Sequence, residues 1–375
     1  MSHDFLVIGA GMAGASAGYE LAAHGACVVL ERENAPGYHS TGRSAALYTE
    51  AYGNRVIRAL ARGGRPFMAG PPGGFAETPI LTPRGMMFVG RADQRAKIDA
   101  ALAAAEEAVP GAVAEISAGQ ALDLVPVLDA GYLAFALHEP GAMDIDVHAM
   151  HQGFLRGLKA RGGELLTDAE ALSIEHIGGI WRVHTPAGDF AAPILVNAAG
   201  AWADVVAELA GARLVGLVPK RRTALIFDPP AGVRVDFWPA TVSVAEDWYF
   251  RPDAGRLMAS PADETPVPPQ DAQPEEIDLA EAAHRIEAAT TLKITRIVNK
   301  WAGLRSFVAD KSPVAGFAPD ADGFVWLAGQ GGYGIKTAPA LARITAALVT
   351  GGEFPADLAE LGLSAADLAP ERLWA

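Results

Sequence analysis

Phe5-Leu6-Val7-Ile8-Gly9-Ala10-Gly11-Met12-Ala13-Gly14 opens a stretch that continues through small residues to His24-Gly25 and closes on Ala26-Cys27-Val28-Val29-Leu30-Glu31. An apolar run, a Gly-x-Gly-x-x-Gly turn at a helix start, and a second apolar run ending in an acid together read as a βαβ unit. Gly9 permits the tight turn, Gly11 admits a pyrophosphate close to the backbone, and Gly14 lets the helix lie against the strand. Free N–H groups at the helix start favour phosphate charge. Glu31, about twenty residues past the glycines, suits a ribose hydroxyl and disfavours a 2′-phosphate. Dinucleotide binding accounts for every part of the stretch, whereas a plain packing turn accounts only for the glycines.

Around this unit lie 375 residues, half of them hydrophobic and a fifth charged. That suits one long or two ordinary folded domains with a sizeable core. A formal net charge of −14 argues against a nucleic-acid partner and leaves no basic footprint for an anionic membrane. Cys27 is the single cysteine, so no internal disulfide forms, and a reducing cytoplasm fits. Inside an apolar strand it reads as a small buried hydrophobe. The alanine-rich N-terminus lacks the basic leader of a secretory signal, and no run approaches the ~18 apolar residues of a membrane span. The expectation is a cytoplasmic protein without an integral membrane segment, peripheral contact with the inner face of the membrane being left open.

Onward from Glu31, a polar loop (Arg32 to Gly42) leads into small residues that read as a helix, with Ser40, Thr41 and Ser44 as caps or phosphate ligands. Arg62 to Gly74 is Gly- and Pro-rich and reads as a loop, Leu81 to Val89 as a strand, and Asp93 to Val109 as a helix stopped by Pro110-Gly111. Short strands and turns follow to Asp146, then a helix over Val147 to Lys159, a strand at Glu164-Leu165-Leu166, and a hairpin about Pro186-Ala187-Gly188. Ile194-Leu195-Val196 enters a second small-residue turn. Ala224 to Phe227, Thr241 to Val244 and Trp248 to Arg251 read as strands, and Ile277 to Leu292 as an amphipathic helix. Phe324 to Ala328 is a buried strand before the turn Gly329 to Gly334 and a helix from near Thr337 to Val349.

Six ordered motifs then converge. Gly9 to Gly14, Gly37 to Ala46, Asn197-Ala198-Ala199-Gly200-Ala201-Trp202, Pro219-Lys220-Arg221-Arg222, Trp301 to Phe307 and Gln330-Gly331-Gly332-Tyr333-Gly334 are similar to those of the FAD-dependent D-amino acid oxidase superfamily. The chain most resembles its bacterial D-amino acid dehydrogenases acting on D-arginine and related substrates. The resemblance implies an α/β fold with a discontinuous Rossmann-like FAD-binding domain (1–75, 145–213 and 300–375). It also implies an α+β substrate-binding domain (76–144 and 214–299) on a mostly antiparallel sheet. It implies non-covalent FAD held by Gly9, Gly11, Met12, Ala13, Gly14, Glu31, Arg32, Ser40, Thr41, Arg43, Ser44, Ala45, Ala46, Leu47, Ala171, Ala199, Gly200, Trp202, Gly303, Gly331, Gly332, Tyr333, Gly334, Ile335 and Lys336.

The implied chemistry removes a hydride from Cα of a D-amino acid, giving the imino acid and then the 2-oxo acid and ammonia, with oxygen or a quinone as electron acceptor. Its first need is a clamp on the substrate carboxylate, for which the planar arginine fork is suited. The resemblance assigns Arg222 and Arg305 to that clamp, with the hydroxyls of Tyr249 and Tyr52 as further donors. Read alone, Arg222 is one of three adjacent cations and fits a solvated face. Arg305 lies among apolar residues, where an unpaired charge is costly. No acid or histidine in the motifs is placed as a base, so the rate should rise with pH as the bound amine becomes neutral.

Leu47, Thr49, Met86, Ala240 and Val242, with Gly303 and Gly332, form the expected side-chain pocket. Met86 stands where relatives preferring D-arginine carry a glutamate, and apolar burial at ~0.8 kcal/mol per methylene favours neutral apolar side chains. Lys336 is an unusual cation in the first turn of a helix. It reads either as a stabiliser of reduced flavin or as a lysine reaching solvent. Alternatives are a glycine or sarcosine-type oxidase of the same superfamily, an NAD-dependent dehydrogenase, and a non-catalytic flavin-binding subunit.

Overall fold

The computed structural model describes residues 3–374. Six strands form one sheet in the order Val314–Phe317, Phe324–Ala328, Ile194–Asn197, Phe5–Ile8, Cys27–Leu30, Glu164–Leu166. All neighbours run parallel except the first pair. These strands read as continuous apolar runs because both faces are covered, one by helices and the other by the three-stranded sheet Ser173–Ile177, Ile180–Thr185, Gly188–Ala192 with the helix Ala203–Ala210. The helix Met12–Leu21 packs between this sheet and the helices Val147–Ala160 and Gly334–Val349. Phe5–Ile8 is flanked by Cys27–Leu30 and Ile194–Asn197, so the chain leaves it one way and returns on the other side. Such a switch point opens a crevice at the carboxyl ends of the strands.

A nine-stranded sheet supplies the second layer. Its spine is the pair Val218–Phe227 and Ile297–Phe307, antiparallel over almost their whole length. Met86–Gly90, Phe135–Glu139, Ala240–Ser243, Tyr249–Asp253 and Arg256–Ser260 extend it. Side chains alternate between its faces. One face carries Met87, Val89, Leu225, Phe227, Phe250, Leu257 and Ala259, packed on Leu279, Ala282 and Ile286 of the helix Glu276–Ala289. By the same alternation Met86, Ala240, Val242, Tyr249, Arg222, Gly303 and Arg305 lie on the other face.

Four local readings change. The Ser44–Ala46 stretch has no regular secondary structure and is not helical, because its neighbouring carbonyls are taken from outside: Arg43 O accepts from Trp301 Nε1 at 3.1 Å and Ala46 O from Arg251 Nη1 at 3.1 Å. Arg62–Gly74 is mostly helix, Arg55–Ala69, capped by the Asn54 side chain accepting from Ile57 N–H. Its glycines serve close packing, since a Cβ on Gly63 would lie 2.0 Å from Leu358. The Leu81–Val89 run breaks at Arg84-Gly85, where Gly85 has φ +75°, into Leu81–Pro83 and Met86–Gly90. The helix expected near Thr337 starts at Gly334 and carries Pro339 within it. The expected domain boundary between 299 and 300 falls inside Ile297–Phe307, whose ladder with Val218–Phe227 binds it to the large sheet.

Gly14 has the tightest surroundings of the first turn: a Cβ there would stand 1.8 Å from the Gly9 carbonyl oxygen. Gly14→Ala must push helix from strand, and overpacking of this kind costs about 1–3 kcal/mol. A lowered thermal unfolding midpoint, with an intact far-ultraviolet spectrum at low temperature, is the expected result.

Candidate active site

A single cavity of about 620 Å³ joins the crevice of the first sheet to the open face of the second. Gly9, Gly11, Met12, Ala13, Glu31, Arg32, Ala171, Ala199, Gly200 and Trp202 line it on the first side. Leu47, Thr49, Tyr52, Met86, Arg222, Ala240, Val242, Tyr249, Gly303 and Arg305 line it on the other. The loop residues Ser40, Thr41, Arg43, Ser44, Ala45 and Ala46 and the turn Gly331 to Lys336 lie between. Of the residues expected in the site only Gly14 is outside the lining, because it is spent on the contact with Gly9 behind the turn.

At the first turn, several groups act in ways the sequence did not indicate. Glu31 is buried, and its carboxylate accepts from Ala10 N–H at 2.9 Å and Glu33 N–H at 3.0 Å, so it shapes the turn as well as facing the cavity. Burial raises its pKa, a change only partly offset by those backbone donors. Thr41 Oγ1 accepts from Met12 N–H at 2.9 Å and so caps the first helix, while Ser40 donates to Leu304 O at 2.7 Å and ties the loop to the large sheet. His151, absent from the sequence reading, lies 2.8 Å from Ala10 O, with burial lowering its pKa. Nothing near it in sequence marks it out; it arrives from the helix Val147–Ala160.

On the other side, the register pairs Arg222 with Gly303 and Lys220 with Arg305. Arg222 and Arg305 are therefore diagonal neighbours on one face, about 7–8 Å apart at the backbone. Arg222 donates through Nε to Asp263 O at 2.8 Å and through Nη2 to Glu264 at 3.2 Å. Burial and then the Arg305 charge depress its pKa. Arg305 faces the cavity beside Gly332, where a Cβ would lie 2.8 Å from its Nη1, and it has no hydrogen-bond or ion-pair partner among the described residues. Tyr249 stands across from Ser260 and Val242. Burial would raise its phenol, but the charges of Arg305 and Arg222 outweigh that and hold it below its ordinary value.

Tyr52 donates its hydroxyl to Glu246 at 3.1 Å, and burial keeps its pKa well above the usual range. Glu246 is a cavity residue that the sequence reading missed; it sits in the turn before Tyr249 with φ 56°, a strained conformation of the kind concentrated at functional sites. Its signal was an acid at a turn beside a site tyrosine. Lys336 is buried, not solvent-exposed: its Nζ donates to Thr49 O at 2.9 Å and Tyr52 O at 3.0 Å. Burial brings its pKa down to about 7, against the opposing pull of Glu139 and Glu50.

The residues fit a flavin dinucleotide. The Gly11 helix start has no side-chain cap from its own N-cap residue. Gly9, Gly11, Gly331 and Gly332 leave a groove without side chains, and His39 Nδ1 is buried there without a partner among the described residues. Trp202 closes the first side, with the Arg32 guanidinium 4.9 Å and the His39 ring 4.6 Å from its centroid.

Comparison with known proteins agrees. Residues 4–348 match the DAO family, FAD dependent oxidoreductase. The chain is 24% identical over 366 residues to the uncharacterized oxidoreductase YurR of Bacillus subtilis (strain 168), covering 95% of this chain and 97% of that one. It is 24% identical over 370 residues to glycine oxidase of Geobacillus kaustophilus (strain HTA426), covering 96% and 97%. Its fold superposes on L-proline dehydrogenase from P. horikoshii with a TM-score of 0.84 at 21% identity, covering 100% and 98%.

An uncommitted guanidinium should capture small carboxylates. A charge-assisted hydrogen bond contributes about 1.5–3 kcal/mol, so Arg305→Met should weaken acetate or benzoate binding by about one to two powers of ten. Titration of the flavin absorbance of the loaded protein measures it; an unchanged dissociation constant would place the anion elsewhere.

Proposed function

The chain belongs to the DAO family of FAD-dependent oxidoreductases, and from that premise we propose that it oxidatively deaminates D-amino acids with neutral, apolar side chains. The supporting observation is Arg305, a partnerless guanidinium next to Arg222 on the cavity wall. Two cations this close repel, and an α-carboxylate between them relieves the repulsion while making bidentate hydrogen bonds. Tyr249 adds a hydroxyl donor, and Tyr52, whose single O–H is given to Glu246, walls the chamber beside it, which fixes the position of Cα relative to the glycine-rich turn. When bound, FAD supplies the two-electron acceptor for the Cα hydride. The protein's part is to hold the carboxylate, orient the Cα–H bond and exclude water.

The carboxylates in the chamber are engaged: Glu264 with Lys220 and Arg222, Glu246 with the Tyr52 hydroxyl. The amine therefore loses its proton to solvent before the hydride leaves, and the rate of flavin reduction rises with pH through the bound amine's pKa. Glu246→Gln should leave that apparent pKa where it is. A rate that is flat from mildly acid to alkaline pH would overturn this order of events, and a shifted pKa in the variant would couple Glu246 to the amine's proton.

For the side chain, Leu47, Met86, Ala240 and Val242 offer an apolar wall with no carboxylate among them. Burying a leucyl side chain contributes about 1.5–3 kcal/mol, so kcat/KM for D-leucine should exceed that for glycine by about tenfold to a hundredfold. D-arginine should be poorer than D-leucine. The second reading, a glycine or secondary-amine oxidase, is favoured by the glycine oxidase of Geobacillus kaustophilus among the relatives. Anaerobic bleaching of the bound flavin by a panel of D- and L-amino acids, glycine and sarcosine decides between them. Faster bleaching by glycine or sarcosine than by D-leucine would overturn the first reading.

A further inference from the structure

Tyr52 belongs to a segment that has little of its own to hold it. After the short strand Leu47–Tyr48 ends, Glu50–Tyr52 makes no backbone–backbone hydrogen bond among the described residues, and the next helix begins at Arg55. Its side chains are tied at the rim, Glu50 to Arg65 at 3.0 Å and to the Tyr48 hydroxyl at 2.9 Å, and Tyr52 to Glu246 at 3.1 Å, while its main chain is fastened by two buried charges from opposite sides. Glu139, at the end of the strand Phe135–Glu139, accepts from the Thr49 hydroxyl at 2.7 Å and from Glu50 N–H at 3.3 Å. Lys336, in the first turn of the helix Gly334–Val349, donates to the carbonyls of Thr49 at 2.9 Å and Tyr52 at 3.0 Å. Its Nζ lies over the rings of Tyr52 and Tyr333, 5.9 Å and 5.4 Å from their centroids.

Both charges are almost fully removed from water, Glu139 at 6% and Lys336 at 3% exposure. They make no direct ion pair among the described residues; the segment's own polar groups stand between them. Burying a charge is unfavourable unless hydrogen bonds and an opposite charge offset it. Here each charge completes its hydrogen bonding only when Thr49–Tyr52 is in place. One anchor comes from the large sheet and the other from a helix packed beside the first sheet. The segment is thereby set relative to both walls of the cavity at once.

We propose that Lys336 and Glu139 act as a two-sided clasp that positions the Thr49–Tyr52 segment, and through it the Tyr52 hydroxyl, over the substrate chamber. They are positioning residues, touching the segment rather than the reacting atoms; the kinetic consequence rests on the role given to Tyr52 in the preceding subsection. Neither charge is replaceable by a hydrocarbon of similar size. A glutamine in place of Lys336 keeps two N–H donors for the two carbonyls and should serve in part.

The test compares the FAD-loaded wild-type protein with Lys336→Met, Lys336→Gln and Glu139→Leu, using backbone amide hydrogen exchange and steady-state kinetics on the best amino-acid substrate. In Lys336→Met, exchange at Glu50, the bonded amide of the segment, should quicken about tenfold or more while the strand Phe5–Ile8 keeps its protection, and KM should rise by a larger factor than kcat falls. Lys336→Gln should recover most of both. Glu139→Leu removes the acceptors for both the Thr49 hydroxyl and Glu50 N–H, so exchange should quicken at Glu50; this variant carries the test if Lys336→Met does not fold. Exchange within twofold of wild type in the Met variant, or equal effects from Met and Gln, overturns the clasp. Faster exchange with an unmoved KM upholds the clasp and sinks the assignment of Tyr52 to the substrate.

Discussion

Two guanidinium groups on one face of one antiparallel ladder set the electrostatics on which the substrate side of this protein depends. The Val218–Phe227 and Ile297–Phe307 strands are long enough to pin Arg222 and Arg305 at fixed diagonal positions. In water such a pair would be screened within a Debye length. Inside a chamber walled by Tyr249, Met86 and Val242 the mutual repulsion persists: burial and then the Arg305 charge lower the pKa of Arg222, and against its burial the two cations hold the Tyr249 phenol down. Arg222 is steadied by Asp263 and Glu264, which leaves Arg305 as the charge still seeking an anion.

That charge is useful only if it faces the dinucleotide groove, and several contacts across the two sheets see to this. Ser40 donates to Leu304 O at 2.7 Å, Arg43 donates to Ala302 O at 3.0 Å, and Trp301 Nε1 donates to Arg43 O at 3.1 Å. The loop that follows the βαβ unit is thus bonded to the strand that carries Arg305. Gly331 N–H donates to Ser306 O at 2.9 Å and brings the C-terminal glycine turn against the same strand. A side chain at Gly332 would collide with the Arg305 guanidinium. The absence of a Cβ there brings backbone and charge together at the point where the two halves of the cavity meet.

The local elements nearest the first strand were the most legible. Phe5–Ile8, the turn and Cys27–Leu30 follow from a fully apolar run, spaced glycines and a second apolar run, because a strand buried on both faces has no other pattern to show. The Arg55–Ala69 helix was not legible, since its glycines look like breakers until Leu358 and the Gly334–Val349 helix are seen against them. Ser44–Ala46 failed the other way. Small residues suited a helix, but carbonyl partners from distant strands won.

The sequence by itself determined the dinucleotide unit and most of the buried strands, because periodicity and glycine spacing are local properties of the chain, while the residues of the cavity came through the resemblance of its six motifs to a family. Only the tertiary structure decided which oxygen or nitrogen each of those residues engages. Glu31 turned out to brace the backbone of its own turn, Tyr52 to lean on Glu246, and Lys336 to face inward toward Thr49 and Tyr52 and not outward to water. Each outcome turns on a partner between 21 and 287 residues away along the chain. A buried charge takes whichever polar groups the fold brings within reach, and folding alone specifies which those are.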